Sequence, residues 1–384
     1  MPDSDAEPYS RREQTQAKHF ILMRYLEKLA YKILRFSELT YVDGFSGPWK
    51  TETEDFGDSS FMIAISVLKG VQKTLVDQRG KCPRIRCFFS ELDSKAISQL
   101  RAAVAPYHDP QNGFEICTFH GKFEDAVSEI QSCVGRSFAL IFIDPTGWTG
   151  YPFDKIKPLF SARKCEVLIN FMYDFINRFS GCDDEKVIMS LSPILGGPDW
   201  PKRLDANLPR GAAVEKLFRE TLKNVGHFQF VISTRIDKAT AERPHFFLAY
   251  GTKSPNGLKT FRETEYAALR AHARNRANAR ERKREEELKT PDFFAGHAEV
   301  QEATIDDVVE QQKQAASSAL VEALSKSKPI KFDRAMIPLL ERFMIRETDV
   351  KDICVELAKC GTIENTWGGG NRKPQEGTTL RLAK

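Results

Sequence analysis

Four short stretches place chemically useful residues directly after apolar, strand-like segments. Asp43-Gly44-Phe45-Ser46-Gly47-Pro48 follows the first, where glycines let backbone pass close to a ligand and the Asp carboxylate could hold a cation or a ligand amine. An ordinary tight loop explains the glycines almost as well. Ser90-Glu91-Leu92-Asp93 follows the second, and an acid there suits both hydroxyls of a ribose. A helix N-terminus is the competing explanation, so Glu91 is assigned to the ribose and Asp93 to the cap. After the third segment, Phe123 of His120-Gly121-Lys122-Phe123 could offer a face to an adenine ring, with core packing as the commoner role for such a residue. The fourth ends in Ile143-Asp144-Pro145-Thr146-Gly147-Trp148. Its Asp-Pro turn could accept hydrogen bonds from an exocyclic amine and aim the nitrogen lone pair at an electrophilic methyl group. Trp148 could stack on a base swung out of its helix. Alone, each stretch reads as a turn; at successive strand ends they read together as one site.

The elements that would position these residues alternate. Leu22, Leu26, Leu29 and Ile33 share one face of an opening amphipathic helix over residues 14–36. Strands are expected at 40–45, 84–89, 114–119, 138–143 and 167–171, with helices at 60–71, 95–104 and 123–133 between them. That rhythm means βαβ units and a parallel sheet with helices on both faces. Ligands of such a sheet gather beyond the C-terminal strand ends, where the strand order reverses. Segments 228–236 and 245–251, joined by 237–244, suit an antiparallel hairpin. Five parallel strands ending in an antiparallel pair are similar to the sheet of class I S-adenosylmethionine-dependent methyltransferases, a fold-level analogy.

With 384 residues, 41% hydrophobic and 29% charged, the composition is that of an ordinary globular protein of roughly two to three domains. The net charge of +4 permits a nucleic-acid partner without demanding one. No stretch is apolar for long enough to cross a bilayer, and the polar N-terminus does not suit secretion. Eight cysteines lack any C-x-x-C pair or neighbouring histidine cluster, so no metal site is expected and a reducing cytoplasm is the expected location.

The expected division is an N-terminal helix packed on the core (1–36), a Rossmann-like methyltransferase domain (37–262), a charged helical linker (263–325) and a winged-helix-like domain (326–384). Within the linker, Arg270 to Lys289 carries a local excess of basic residues, read as a solvated connecting helix in preference to a nucleic-acid stripe, with Pro291 and Gly296 interrupting it. In the last module Val350, Ile353, Cys354 and Leu357 share a helix face, Gly361 stops the helix, and strands at 362–367 and 378–382 flank a loop carrying Arg372 and Lys373. Such a basic wing could lie along phosphates, or the module could dock protein; both readings stay open.

Lys18-His19 with Ile21, Leu22, Tyr25 and Leu26, the Tyr41-to-Pro48 loop, Phe142-to-Trp148 and Val167-Leu168-Ile169-Asn170-Phe171 together resemble the three-Cys-motif partner protein family, TcmP. The similarity extends over nearly the whole chain, including Gly257-Leu258-Lys259 and Arg372-Lys373-Pro374. It implies a methyltransferase-like Rossmann domain and a partner similar to radical S-adenosylmethionine enzymes, to which the three cysteines belong. The Asp-Pro-x-Gly step also resembles the Asp-Pro-Phe-Gly motif of tRNA guanine-N2 methyltransferases.

The leading expectation is methyl transfer from S-adenosylmethionine to a nucleobase nitrogen of RNA or DNA. Asp43, Gly44, Phe45, Gly47, Glu91 and Phe123 would bind the cofactor, and Asp144, Pro145 and Trp148 the acceptor. The alternative is a non-catalytic nucleic-acid-binding adaptor for the three-Cys-motif partner. A nuclease fits less well, for want of acids and lysine at metal-chelating spacing.

Overall fold

Phe138–Ile143 is apolar at every position and Cys165–Phe171 is buried along its whole length, so both must be covered on two faces. The computed structural model describes residues 12–47, 56–80, 82–162, 164–173, 184–241, 243–288, 298–326, 329–368 and 371–383, and makes these segments two central strands of a seven-stranded sheet. Its strands are β1 (Leu39–Asp43), β2 (Ile85–Glu91), β3 (Phe114–His120), β4 (Phe138–Ile143), β5 (Cys165–Phe171), β6 (Phe230–Asp237) and β7 (Pro244–Thr252). They lie in the order β3-β2-β1-β4-β5-β7-β6. β1 to β5 are parallel, and β7 runs antiparallel to both β5 and β6. This mixed α/β, mostly parallel sheet is consistent with the Rossmann-like methyltransferase fold expected from the alternation. The order reverses between β1 and β4, which sets a crevice between the loops that follow them.

Helices α1 (Glu13–Ile33), α2 (Ser60–Arg79), α3 (Ser94–Val104), α4 (Val127–Val134), α5 (Phe153–Phe160), α6 (Glu185–Leu195) and α7 (Arg210–Gly226) accompany the sheet. Local chemistry fixes their ends. Ser59 caps α2 through the Met62 N–H, and Gly80, at φ 67°, closes it in the left-handed region that favours glycine. α1 is tied to the sheet by a buried network: the Tyr25 hydroxyl donates to Glu166 Oε2 at 2.5 Å and meets the Tyr250 hydroxyl at 2.5 Å, while Thr252 donates to Oε1 at 2.8 Å. Burial pushes the Glu166 carboxyl up, against the pull of these donors.

Several boundaries differ from expectation for visible reasons. β1 stops at Asp43 because the Asp43 carboxylate takes the Phe45 N–H and turns the chain out of the sheet. The helix expected over 123–133 is a 3₁₀ turn, Phe123–Asp125, followed by α4. The chain divides into two units after Ser254, and helix α8 (Pro255–Leu288) opens the second, with a proline at its start, where a missing N–H costs nothing.

The second unit holds α8, α9 (Ala298–Lys326), α10 (Phe332–Arg342) and α11 (Glu347–Lys359), with two-residue strands β8 (Ile330–Lys331) and β9 (Thr379–Leu380) paired antiparallel. In place of the strand expected over 362–367 there is a single antiparallel bridge, Ile363 to Leu382. Lys373, expected at a wing tip, is ion-paired with Asp352. The breaks assigned to Pro291 and Gly296 lie outside the described residues. No helix among the described residues is long and apolar enough to cross a membrane.

Candidate active site

Three strand ends are stitched together at the crevice. The Gly44 N–H donates to the Phe142 carbonyl at 3.0 Å, the Ser46 N–H to the Ser90 carbonyl at 2.9 Å, and the Ser90 hydroxyl to the Gly44 carbonyl at 2.9 Å. These bonds hold the loop after β1 against β2 and β4. A Cβ added to Gly44 would lie 2.8 Å from the Phe123 ring, so the absence of a side chain here makes room for that ring. Gly44→Ala is therefore expected to destabilise the protein by about 1–3 kcal/mol through overpacking, as read by urea denaturation. Adding Phe123→Leu should recover part of that loss; no recovery would mean that the clash is not its cause.

Asp43 is fully buried, and its carboxylate closes the loop: Oδ1 accepts the Phe45 N–H at 3.1 Å and Oδ2 the Ser60 hydroxyl at 2.7 Å. Burial raises its pKa from 3.8 to about 6, with the Asp144 charge adding to the rise and the hydrogen bonds from Ser60 and Phe45 opposing it. The folded state thus holds this proton more tightly than the unfolded chain. The corresponding stability is present below pH 3.8 and is lost as pH rises through about 6. Asp43→Asn should remove that dependence, flattening the stability profile between pH 4 and 7 by about 3 kcal/mol. Parallel profiles for the wild type and the variant would contradict the assignment.

A cavity of about 870 Å³ opens at the crevice. Of the residues assigned to a cofactor, Gly44, Phe45, Glu91 and Phe123 line it, and Pro145 joins them from the acceptor group. Glu91 is only 4% exposed, and its Oε1 accepts the Asp93 N–H at 2.7 Å. Burial raises its pKa, tempered by backbone donors. Asp93 caps α3 through the Lys95 and Ala96 N–H groups, as the sequence assigned it. Phe45 and Phe123 form one apolar wall, with ring centroids 5.7 Å apart. Leu92, 61% exposed, lies at the same cavity and was not singled out from sequence.

Asp43, Gly47, Asp144 and Trp148 are not among the residues that line this cavity. The Trp148 indole packs against the core and donates to Ser190 Oγ on α6 at 3.3 Å. Asp144 Oδ2 accepts from Lys18 Nζ at 2.5 Å, and Oδ1 from Asn170 Nδ2 at 2.7 Å. Both oxygens of the expected acceptor-binding carboxylate are thus engaged from α1 and β5. Asn170 is 3% exposed, and among the described residues its own Oδ1 has no hydrogen-bond partner. A buried carbonyl oxygen left without a donor is costly unless a ligand or water supplies one. His19, next to Lys18, is held neutral by burial, with the Lys18 and Arg12 charges adding to the effect.

Lys18 and Asn170 were given no role from sequence. Their signal was present nonetheless: a lysine four residues before Leu22 on an apolar helix face, and an amide inside the apolar run Val167–Phe171. Among the described residues no group of three or more His, Cys, Asp or Glu side chains could hold a metal ion.

No protein-family model and no curated protein matches the chain. Among solved structures it is similar to a loganic acid methyltransferase with SAH, at 9% identity and a TM-score of 0.27, over 80% of this chain and 92% of that one.

Proposed function

We propose that this protein is an S-adenosylmethionine-dependent methyltransferase acting on a nucleobase nitrogen of RNA or DNA. Its sequence motifs further suggest a TcmP-type protein working beside a three-Cys-motif partner. The observation that carries the reading is Glu91, a buried acid at the end of β2 that lines the cavity at the reversal of strand order.

The residues present fit an adenosyl group. The cavity falls within the ~300–1,000 Å³ usual for small-molecule sites. It combines a carboxylate able to accept from two ribose hydroxyls with apolar surface from Leu92, Phe45 and Phe123 for a flat base. When bound, S-adenosylmethionine supplies an activated methyl group on a sulfonium centre. The chain's own task is to orient the acceptor and to exclude water. Asn170 Oδ1, a buried acceptor atom beside Asp144 for which the described residues offer no donor, would take an N–H of the acceptor, although neither side chain lines the cavity itself. Asp144 fixes the Asn170 amide, and Lys18 compensates the Asp144 charge.

The engagement of both Asp144 oxygens favours one rival, a non-catalytic adaptor that binds nucleic acid for the three-Cys-motif partner. Incubation with methyl-labelled S-adenosylmethionine and total RNA or genomic DNA separates the two. The proposal expects label in one nucleic acid, lost in Asn170→Leu with cofactor affinity retained. Cofactor binding without transfer to either polymer, with or without the partner, would support the adaptor.

A further inference from the structure

On the far side of the β3–α4 connection, two thiols face each other. Cys117 lies on β3 and Cys133 on α4, their Sγ atoms are 3.9 Å apart, and the Cys133 thiol donates to the Cys117 sulfur. That separation is about twice a disulfide bond length of ~2.05 Å. Both are half-buried and both line a second cavity, of about 510 Å³, together with Arg86 and Arg136. Arg86 is fixed there between Glu38 at 2.8 Å and Glu115 at 3.3 Å. The remaining described cysteines differ: Cys87, Cys165 and Cys354 are buried, while Cys82 and Cys360 are exposed.

We propose that Cys117 and Cys133 form a redox-modification site, converted by hydrogen peroxide into an intramolecular disulfide. The two thiols have unequal roles. The hydrogen bond from Cys133 lowers the Cys117 pKa, with the Arg86 charge helping and burial opposing. The same bond, with burial, pushes the Cys133 thiol up. Cys117 is therefore the attacking sulfur and Cys133 the resolving one.

In the first step the Cys117 thiolate attacks a peroxide oxygen: an S–O bond forms, the O–O bond breaks, and the departing hydroxide takes up the proton released by Cys117, leaving water and a sulfenic acid. In the second, Cys133 sulfur attacks Cys117 sulfur, the S–S bond forms, the S–O bond breaks, and hydroxide leaves with the Cys133 proton as a second water. The two thiols lose two electrons and the peroxide gains them.

The position of the bond gives it a consequence. It would close the segment 118–132, which carries Gly121, Lys122 and Phe123 of the first cavity's wall. Oxidation therefore restrains that wall, and a closed loop of this kind lowers the entropy of the unfolded chain.

The test treats the full chain, carrying Cys82→Ser and Cys360→Ser, with hydrogen peroxide, followed by non-reducing peptide mapping. The expected result is a Cys117–Cys133 cross-linked peptide lacking two hydrogens, a raised melting temperature, and reversal of both by dithiothreitol. Cys133→Ser should strand Cys117 as a sulfenic acid trapped by dimedone, whereas Cys117→Ser should give no label at Cys133. Cys117 and Cys133 remaining fully alkylatable after a peroxide dose that oxidises Cys82 in the native chain would overturn the proposal. So would dimedone labelling of Cys133 in place of Cys117.

Discussion

Glu91→Ala is expected to raise the dissociation constant for S-adenosylhomocysteine about 100-fold, as measured by calorimetric titration. Hydrogen bonds to a charged group contribute about 1.5–3 kcal/mol, and a fall of about 2.7 kcal/mol is a factor of about 100. The carboxylate is nearly buried yet lines the cavity, so its loss removes ribose recognition in a site where water competes poorly. Glu91→Gln should fall between the two: its side-chain oxygen can still accept the Asp93 N–H, but the charge is gone. Because Asp93 itself caps α3, the helix should survive both changes, with an unaltered circular dichroism spectrum as the control. Equal affinity in all three proteins would remove Glu91 from the binding site.

Asp144→Ala should cause the second large loss, in stability as well as in turnover. It strips Lys18 of its counter-ion and Asn170 of the oxygen that fixes its amide, and the Lys18 and Asp144 side chains are only 11% and 16% exposed. Breaking a fully buried pair costs about 3–5 kcal/mol; partial exposure reduces this to roughly 2–3 kcal/mol. Lys18→Met alone should cost a similar amount, and the double variant much less than the sum of the two. Removing the Asp144 charge should also lower the Asp43 pKa from about 6, moving that pH transition to lower pH. Additive losses in the double variant would mean that the two side chains do not act as a pair.

These two residues also mark how far the sequence could be read. Glu91 and Asp93 were separable because local rules decide between them: an acid at the strand end faces the crevice, and an Asp just ahead of Ser94 and Lys95 caps. The strand alternation fixed the sheet for the same reason, since continuous apolar runs must be covered on both faces. Asp144 and Trp148 were harder. An Asp-Pro turn sets the backbone but leaves the side chain to choose among partners, and the partner taken is Lys18, 126 residues away. Trp148 likewise meets Ser190, 42 residues on, on a helix that the strand and helix alternation does not announce. The first helix of the second unit starts at Pro255, ahead of the change in composition, which begins only after Phe261. In the second unit the strand expected at 378–382 is present as the two-residue β9, whereas β8, also two residues long, is too short for an alternating pattern to declare it.

The central claim is that the crevice cavity takes an adenosyl group, and calorimetric titration of the purified protein with S-adenosylmethionine and S-adenosylhomocysteine tests it most directly. The expected result is saturable binding of both at one site per chain, weakened by Glu91→Ala and retained in Asn170→Leu. A folded protein that binds neither ligand, alone or with its partner and nucleic acid present, would contradict the claim.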